Sequence, residues 1–487
     1  MNVMNMSDGT CVLDLLADER FTVMLGELMR RSLSWQEFLE LPMPGELSPA
    51  MTWEILNRVS ESVGINLVIP DLEGNQYWYR RTFEITDTVN AIANACQTGS
   101  RLHRTVIASE GQHFMMRARV EEACAAAMLD GLAVSDDETR SLLRHDRAPQ
   151  TPAERLIVNS FRVYDRLPDY VGQRFSPDLL REFGERLLED VDMDSLQRGA
   201  VHLGLNTFDW ENEVVEAHAA EQLEVICDYL NHDKGDERDH VVLRGMIAAD
   251  ALRFYRPLKE ASSQVGHLAA SLYALKHDLP VLALLPVSRA KIEWEEGHIV
   301  PPQVPYDRTA FLEQRRLSPG DLTAHHTMNA YLTLLTLEDV SRYIDSWERR
   351  DAEMQEILRR DPELNQRQRS ILSRALRNPR AEFRIRYHKT NHNIAYATAR
   401  RDLMELEEKG YLQSTTRGKA FVFTPLPSLS EKVRADVSRV RPQDLVGAER
   451  ATADMRGAGT RNGTPFGVPF PHSRAFTSQC SVNTWSG

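Results

Sequence analysis

Apolar positions in the middle of the chain recur at helical spacing. Val242, Met246, Ala249 and Leu252 form one stripe, and Val265, Leu268, Leu272 and Leu275 form another, predicting a buried pair of helices broken by Pro257. Upstream, residues 158–167 and 176–188 carry the same period, the second run opening with Ser176 as N-cap and Pro177 at the first helical position. Residues 201–205 and Val214-Val215 flank a polar tip at 206–213, which predicts a β-hairpin. Further on, Leu364, Ile371, Leu372 and Ala375 predict a helix, and residues 383–392 a short strand and second helix with Asn393 at the turn. Residues 395–409 predict a third helix, burying Tyr396, Ala399, Leu403 and Leu406 and ending at Gly410. Residues 411–415 and 420–423 then pair around Arg417-Gly418-Lys419, so that residues 363–423 read as a winged helix. The fold class is mainly α: a helical core with a small β-hairpin, plus a winged helix-turn-helix domain.

At 487 residues the chain has room for two or three domains. Its 42% hydrophobic content and mean hydropathy of −0.42 are those of a soluble globular protein. The longest apolar run, 279–287, is short and broken by proline, and no basic start precedes an apolar core, so neither a membrane span nor a leader is expected. Cys11, Cys96, Cys124, Cys227 and Cys480 are scattered, with neither metal spacing nor a disulfide framework, which suits the cytoplasm. The acidic stretches 192–194 and 233–239 read as solvated faces. Gly, Thr, Ser and Pro dominate the end of the chain, and residues 440–487 read as a disordered tail.

Charge changes this picture at one place. The chain sums to −13, yet residues 363–423 hold thirteen Lys/Arg against six Asp/Glu, a balance of +7 that leaves −20 for the rest. A cationic island in an anionic chain is the footprint of a phosphate-backbone contact. Thr398 and Arg401 would face the major groove, Arg400 would flank them, and Lys389, Tyr396, Arg417 and Lys419 would complete a DNA-binding face. Winged helices also dock proteins, so a dimerisation surface is the competing expectation.

Candidate chemistry lies between the two central helices, at Arg256, Pro257, Leu258, Lys259, Glu260, Ala261, Ser262, Ser263, Gln264 and His267. From the residues alone the segment is a helix–turn–helix broken by proline. With its flanks, from His240 to the Leu285-Pro-Val-Ser-Arg289 stretch, it resembles without gaps the core of the Fic (Fido) family, whose signature is H-x-F-x-[D/E]-G-N-G-R-x-x-R. Fic proteins mostly move AMP from ATP to a protein hydroxyl. The resemblance puts Arg256 at the position of the family's base, and a guanidinium stays protonated where an imidazole would accept a proton. It puts Glu260 at the metal-ligand position, a candidate for Mg²⁺. Ala261, Ser262 and Ser263 replace the glycine-rich phosphate cradle, while Gln264 and His267 replace two phosphate-binding arginines.

Residues 121–131 resemble the family's inhibitory helix, [S/T]-x-x-x-E-[G/N], with Ala126 at the hydroxyl position, Asp130 at the Glu and Gly131 matching. The expected partner of Asp130 is then His267. Without the resemblance this is an Ala-rich helix closed by a glycine. The hairpin near 201–215 occupies the place of the family's flap, which holds a target peptide by strand addition; His202 and His218 lie near it. Residues 391–423 resemble the winged helix that closes long Fic proteins, and 35–97 their N-terminal region.

The implied organisation is an N-terminal region at 1–100, a Fic-like domain at 101–350, a winged helix at 360–425 and a tail from 440. The implied function is that of a pseudoenzyme acting as a DNA- or partner-binding regulator. The alternative is an active nucleotidyltransferase with an unusual site, holding ATP and Mg²⁺ and drawing a base from His267 or His202. DNA is the expected partner, with a protein target at the flap or a second copy of the chain as further ones; no cofactor is fixed, and ATP with Mg²⁺ is expected only if the anion site survives.

Overall fold

A computed structural model describes residues 15, 17–45, 47–69, 76–107, 112–134, 139, 142, 148–196, 213–231, 239–258, 261–377, 381–417 and 420–439. The protein is mainly helical and divides into two compact units, 1–344 and 345–487, the boundary falling inside one long helix.

The first unit begins with α1 (Glu19–Arg30), α2 (Trp35–Leu39) and α3 (Pro49–Val63). Asp18, Ser34 and Ser48 cap them by accepting backbone N–H bonds, and Ser34 with Glu37 completes a capping box. Trp35, Phe38 and Trp53 stack together, so the Trp-rich stretch is a small core of its own. A short antiparallel pair follows, β1 (Ile65–Asn66) with β2 (Trp78–Tyr79). Next come α4 (Phe83–Cys96), α5 (Arg101–Ile107), α6 (Gln112–Leu129), α7 (Pro152–Arg166) and α8 (Pro177–Leu187). Ser176 caps α8 by accepting from Leu179 N, as its sequence announces.

The hairpin expected near 201–215 is not what forms where the chain is described. Residues 201–205, with His202, lie outside the described residues, and Val214 and Val215 belong to a helix, α9 (Glu213–Asn231). The run from Glu213 is rich in Ala and Glu and free of Gly and Pro, and two adjacent valines do not outweigh that propensity. Asp239, expected on a solvated face, accepts from the Tyr79 and Tyr229 hydroxyls at 2.6 and 2.8 Å.

The centre of the unit is α10 (Val241–Tyr255) against α11 (Ser262–Lys276). Both are buried nearly all round: Arg244, Asp250 and Arg253 are as hidden as Leu243 and Leu252, while Met246 and Ala249 of the expected stripe are only half-buried. The helices pack closely enough that a Cβ on Gly266 would lie 2.8 Å from the Ala249 carbonyl oxygen. Flanking helices are α12 (Val287–Glu295), α13 (Arg308–Leu317) and α14 (Thr323–Arg360).

The second unit holds α15 (Gln366–Arg377), β3 (Phe383–Arg384), α16 (Ile385–His392), α17 (Tyr396–Glu408), β4 (Leu412–Arg417), β5 (Ala420–Pro425) and α18 (Leu429–Arg439). The strands form one antiparallel sheet in the order β3-β5-β4. Asn393 ends α16 in the left-handed conformation, and Gly410 follows α17 at φ +68. Ala399, Leu403 and Leu406 enter the core as expected, but Tyr396 does not: it is 50% exposed. Burial along that stripe begins at Ala399, leaving the first turn beyond the packed partners.

Candidate functional site

Arg256 ends α10 in the left-handed region (φ 44, ψ 45), its N–H donating to Leu252 O. A non-glycine residue seldom takes that conformation, and Pro257 behind it cannot continue the helix. The chain then turns back: Ser262 Oγ accepts from Leu258 N at 3.1 Å, and α11 starts. Glu260, the metal-ligand candidate, lies outside the described residues.

The start of α11 presents backbone N–H groups, and these have a partner already. Asp130 Oδ1 accepts from Ser263 N at 2.9 Å, and Oδ2 from Gln264 N at 3.2 Å. The carboxylate reaches there because of how α6 ends. Gly131 sits at φ +78, its N–H donating to Met128 O, while Leu132 N donates to Ala127 O; this is a Schellman motif that sets Asp130 at the C-cap. Asp130 is 2% exposed. Burial pushes its carboxyl up to about 6, against the pull of the Ser263 and Gln264 N–H groups and the Arg256 charge. The helix start therefore holds an anion, and the anion is part of the chain.

The expected pairing of Asp130 with His267 is absent. His267 Nδ1 lies 2.9 Å from Glu122 Oε1, and its Nε2 lies 3.3 Å from Ser271 Oγ. Glu122 Oε2 accepts in turn from Ser288 N at the first turn of α12. Burial pushes the Glu122 carboxyl up, but His267 and the Ser288 N–H outweigh it and hold it below the ordinary value. A one-carbon-shorter acid at 130 reaches the helix backbone instead of the imidazole, and Glu122, two turns earlier on α6, takes the imidazole. Gln264, at an expected arginine position, is buried with neither amide atom partnered among the described residues. Ala126 is buried in α6 and offers no polar group.

Asp250 is a residue that sequence reasoning passed over. It is buried on α10 and accepts from Lys291 Nζ at 2.7 Å; His325 Nε2 lies at 2.9 Å, and Asn329 also donates to it. Burial pushes its carboxyl up, yet Lys291 and His325 hold it well below the usual range. Its one signal is a lone acid on a mostly apolar helix whose other charged residues, Arg244 and Arg253, are basic. With Arg253, Ser263, His267, Ser288 and Lys291 it lines a cleft beside the two central helices.

In the second unit the basic residues divide into two sets. Asp402, 1% exposed at its side chain, accepts from Arg367 Nε at 2.7 Å and Asn365 Nδ2 at 3.1 Å, with His388 Nε2 at 3.0 Å. Burial pushes Asp402 up, but these donors outweigh it and keep the carboxyl low. This knot ties α15, α16 and α17 together. By contrast Arg386, Lys389 and Arg400 are exposed and have no acidic partner among the described residues. Arg401 is exposed, 3.7 Å from Glu405 on its own helix, and Thr398 is half-buried. Tyr387 and Tyr396 stand exposed beside them, at 66% and 50%. The Arg417 side chain and Lys419 lie outside the described residues.

No family model matches the chain, and no curated protein matches it. Among solved structures it is similar to a Fic family protein from Desulfovibrio desulfuricans G20, at 14% identity and a TM-score of 0.42, over 72% of this chain and 97% of that one. No helix among the described residues is long and apolar enough to cross a membrane.

Proposed function

We propose that the chain is a Fic-like pseudoenzyme, a regulator whose transfer site is closed and whose C-terminal unit is a winged helix that binds duplex DNA. The seat of Asp130 carries the closed site. A phosphate arriving at the start of α11 would have to displace a buried carboxylate from Ser263 N and Gln264 N, or add its charge to it. Two further features point the same way. Arg256, where the family resemblance expects a base, has no proton-accepting form near neutral pH. His267, the substitute base, is held by Glu122 at Nδ1 and faces Ser271 Oγ at Nε2, so an incoming hydroxyl would have to displace Ser271 to reach it.

The second half rests on the order helix, strand, helix, helix, hairpin, with α17 as the helix for the major groove. Lys389, Arg400 and Arg401 would meet phosphates and base edges there, with Tyr396 at the start of the same helix. Cations left without acidic partners stay available to a polyanion.

Two assays on the full chain test this. With α-labelled ATP, Mg²⁺ and cell lysate, no protein should acquire label; label that vanishes on Glu260→Ala would instead establish the active transferase. In gel shift the chain should retard duplex DNA with an affinity that falls steeply with salt. Absence of any shift at low salt removes the regulator.

A further inference from the structure

Beside α10 lies a second cavity, of about 170 Å³, lined by Leu67, Ile247, Phe254, Arg315, Leu322 and His326 among others. Most of its wall is apolar, and two of its polar groups, His326 and Arg315, carry no ion pair among the described residues. His326 is 2% exposed, and neither ring nitrogen has a hydrogen-bond partner among the described residues. Arg315, half-buried on α13, has no ion pair among the described residues. The acid whose charge reaches it, Asp321, is already taken by Thr323 N at 2.8 Å and Arg80 Nη2 at 3.5 Å. Asp250 also borders the cavity, but Lys291 pairs with it at 2.7 Å, and His325 Nε2 lies 2.9 Å from its other oxygen.

Leaving a buried polar group unpaired costs stability, about 1–3 kcal/mol. The orphaned His326 imidazole, with the Arg315 guanidinium on the wall of the same apolar cavity, therefore points to a ligand that completes them. We propose that this cavity binds a small organic anion, a carboxylate on an apolar body, with the carboxylate on Arg315 and His326. An apolar cavity of roughly 150 Å³ accepts benzene, so the body has room for about six carbons. Burial and the adjacent His325 push the His326 imidazole down to about 3; it therefore stays neutral and offers one N–H to a carboxylate oxygen. Arg315 supplies the charge. The proposal is independent of the transfer site and of DNA binding, because none of its groups belongs to either.

The test is a calorimetric titration of the full chain with benzoate, with 4-methylpentanoate and with benzamide, which matches benzoate in shape but has no charge. At least one of the two carboxylates should bind, and benzamide should bind roughly tenfold more weakly than benzoate or not at all. Arg315→Met should abolish carboxylate binding while melting at the same temperature as the parent or higher, since it removes a partly buried charge without a partner. His326→Leu should weaken binding less. Failure of both carboxylates to bind, equal binding of benzoate and benzamide, or undiminished binding in Arg315→Met would each overturn the proposal. The benzoate and benzamide comparison needs no variant, so it stands even where a substitution fails to fold.

Discussion

Around the start of α11, Asp130, Glu122 and His267 are each bonded to another protein group, whereas along α16 and α17 Arg386, Lys389 and Arg400 face solvent without an acidic partner among the described residues. The first region, read from its residues as a candidate phosphate site, has its donors bonded internally. The second leaves Arg386, Lys389 and Arg400 exposed. A buried donor that already has an acceptor offers a ligand nothing until that acceptor leaves, while an exposed cation gains from any polyanion that reaches it. A suggestive residue pattern and availability for binding are thus separate properties, and here they lie in different units of the chain.

The comparison can be broken most forcefully inside the second unit, where Asp402 is as internally committed as Asp130. Asp402→Ala strands Arg367 and His388 and should lower the stability of that unit by about 3 kcal/mol in denaturant unfolding. A change under about 0.5 kcal/mol would mean the knot is not what orders α15, α16 and α17. Next in size is the exposed set. Replacing Lys389, Arg400 and Arg401 together by alanine should weaken DNA binding roughly a hundredfold and flatten the salt slope by about 3, with no change in melting temperature. An unchanged slope would show that these cations do not meet phosphate.

Asp130 sharpens the other side through pH. Its carboxyl titrates near about 6 in the folded chain against 3.8 unfolded, so the folded state holds more protons between those values. Its contribution is full below pH 3.8 and is lost as pH rises through about 6. Asp130→Asn should remove that fall from a stability–pH profile; an identical profile in the variant would place the carboxylate elsewhere. The smallest effect is at Gln264, whose amide is buried and unpartnered among the described residues. Gln264→Leu should raise stability by about 1 kcal/mol in the same unfolding measurement, and a loss would reveal a partner for the amide.

Local features were legible in the residues. Ser176 and Pro177 announced α8, Asn393 and Gly410 announced the ends of α16 and α17, and the 3.6-residue period placed Ala399, Leu403 and Leu406 in the core. Gly131 was read as a helix stop, and it is one. What could not be read were pairings across the chain. Asp130 and Ser263 are 133 positions apart, and Glu122 and Ser288 are 166 apart; no periodicity encodes which acid meets which donor. Asp130 is plain in the residues, but its partner depends on where the Schellman turn aims it. Two adjacent valines suggested a strand at 214–215 because local pattern was weighed without the helical run around them. Asp250, His325 and His326 give little signal in the residues because a buried acid on one helix and a histidine pair on another acquire meaning only when the helices meet.

The occupied helix start is tested most directly by calorimetric titration of ATP with Mg²⁺ into the full chain and into Asp130→Ala. The parent chain should give no heat of binding, and the variant, with Ser263 N and Gln264 N released, should acquire measurable affinity. Tight binding of ATP by the parent, undiminished or unimproved by removing the carboxylate, would contradict the closed site.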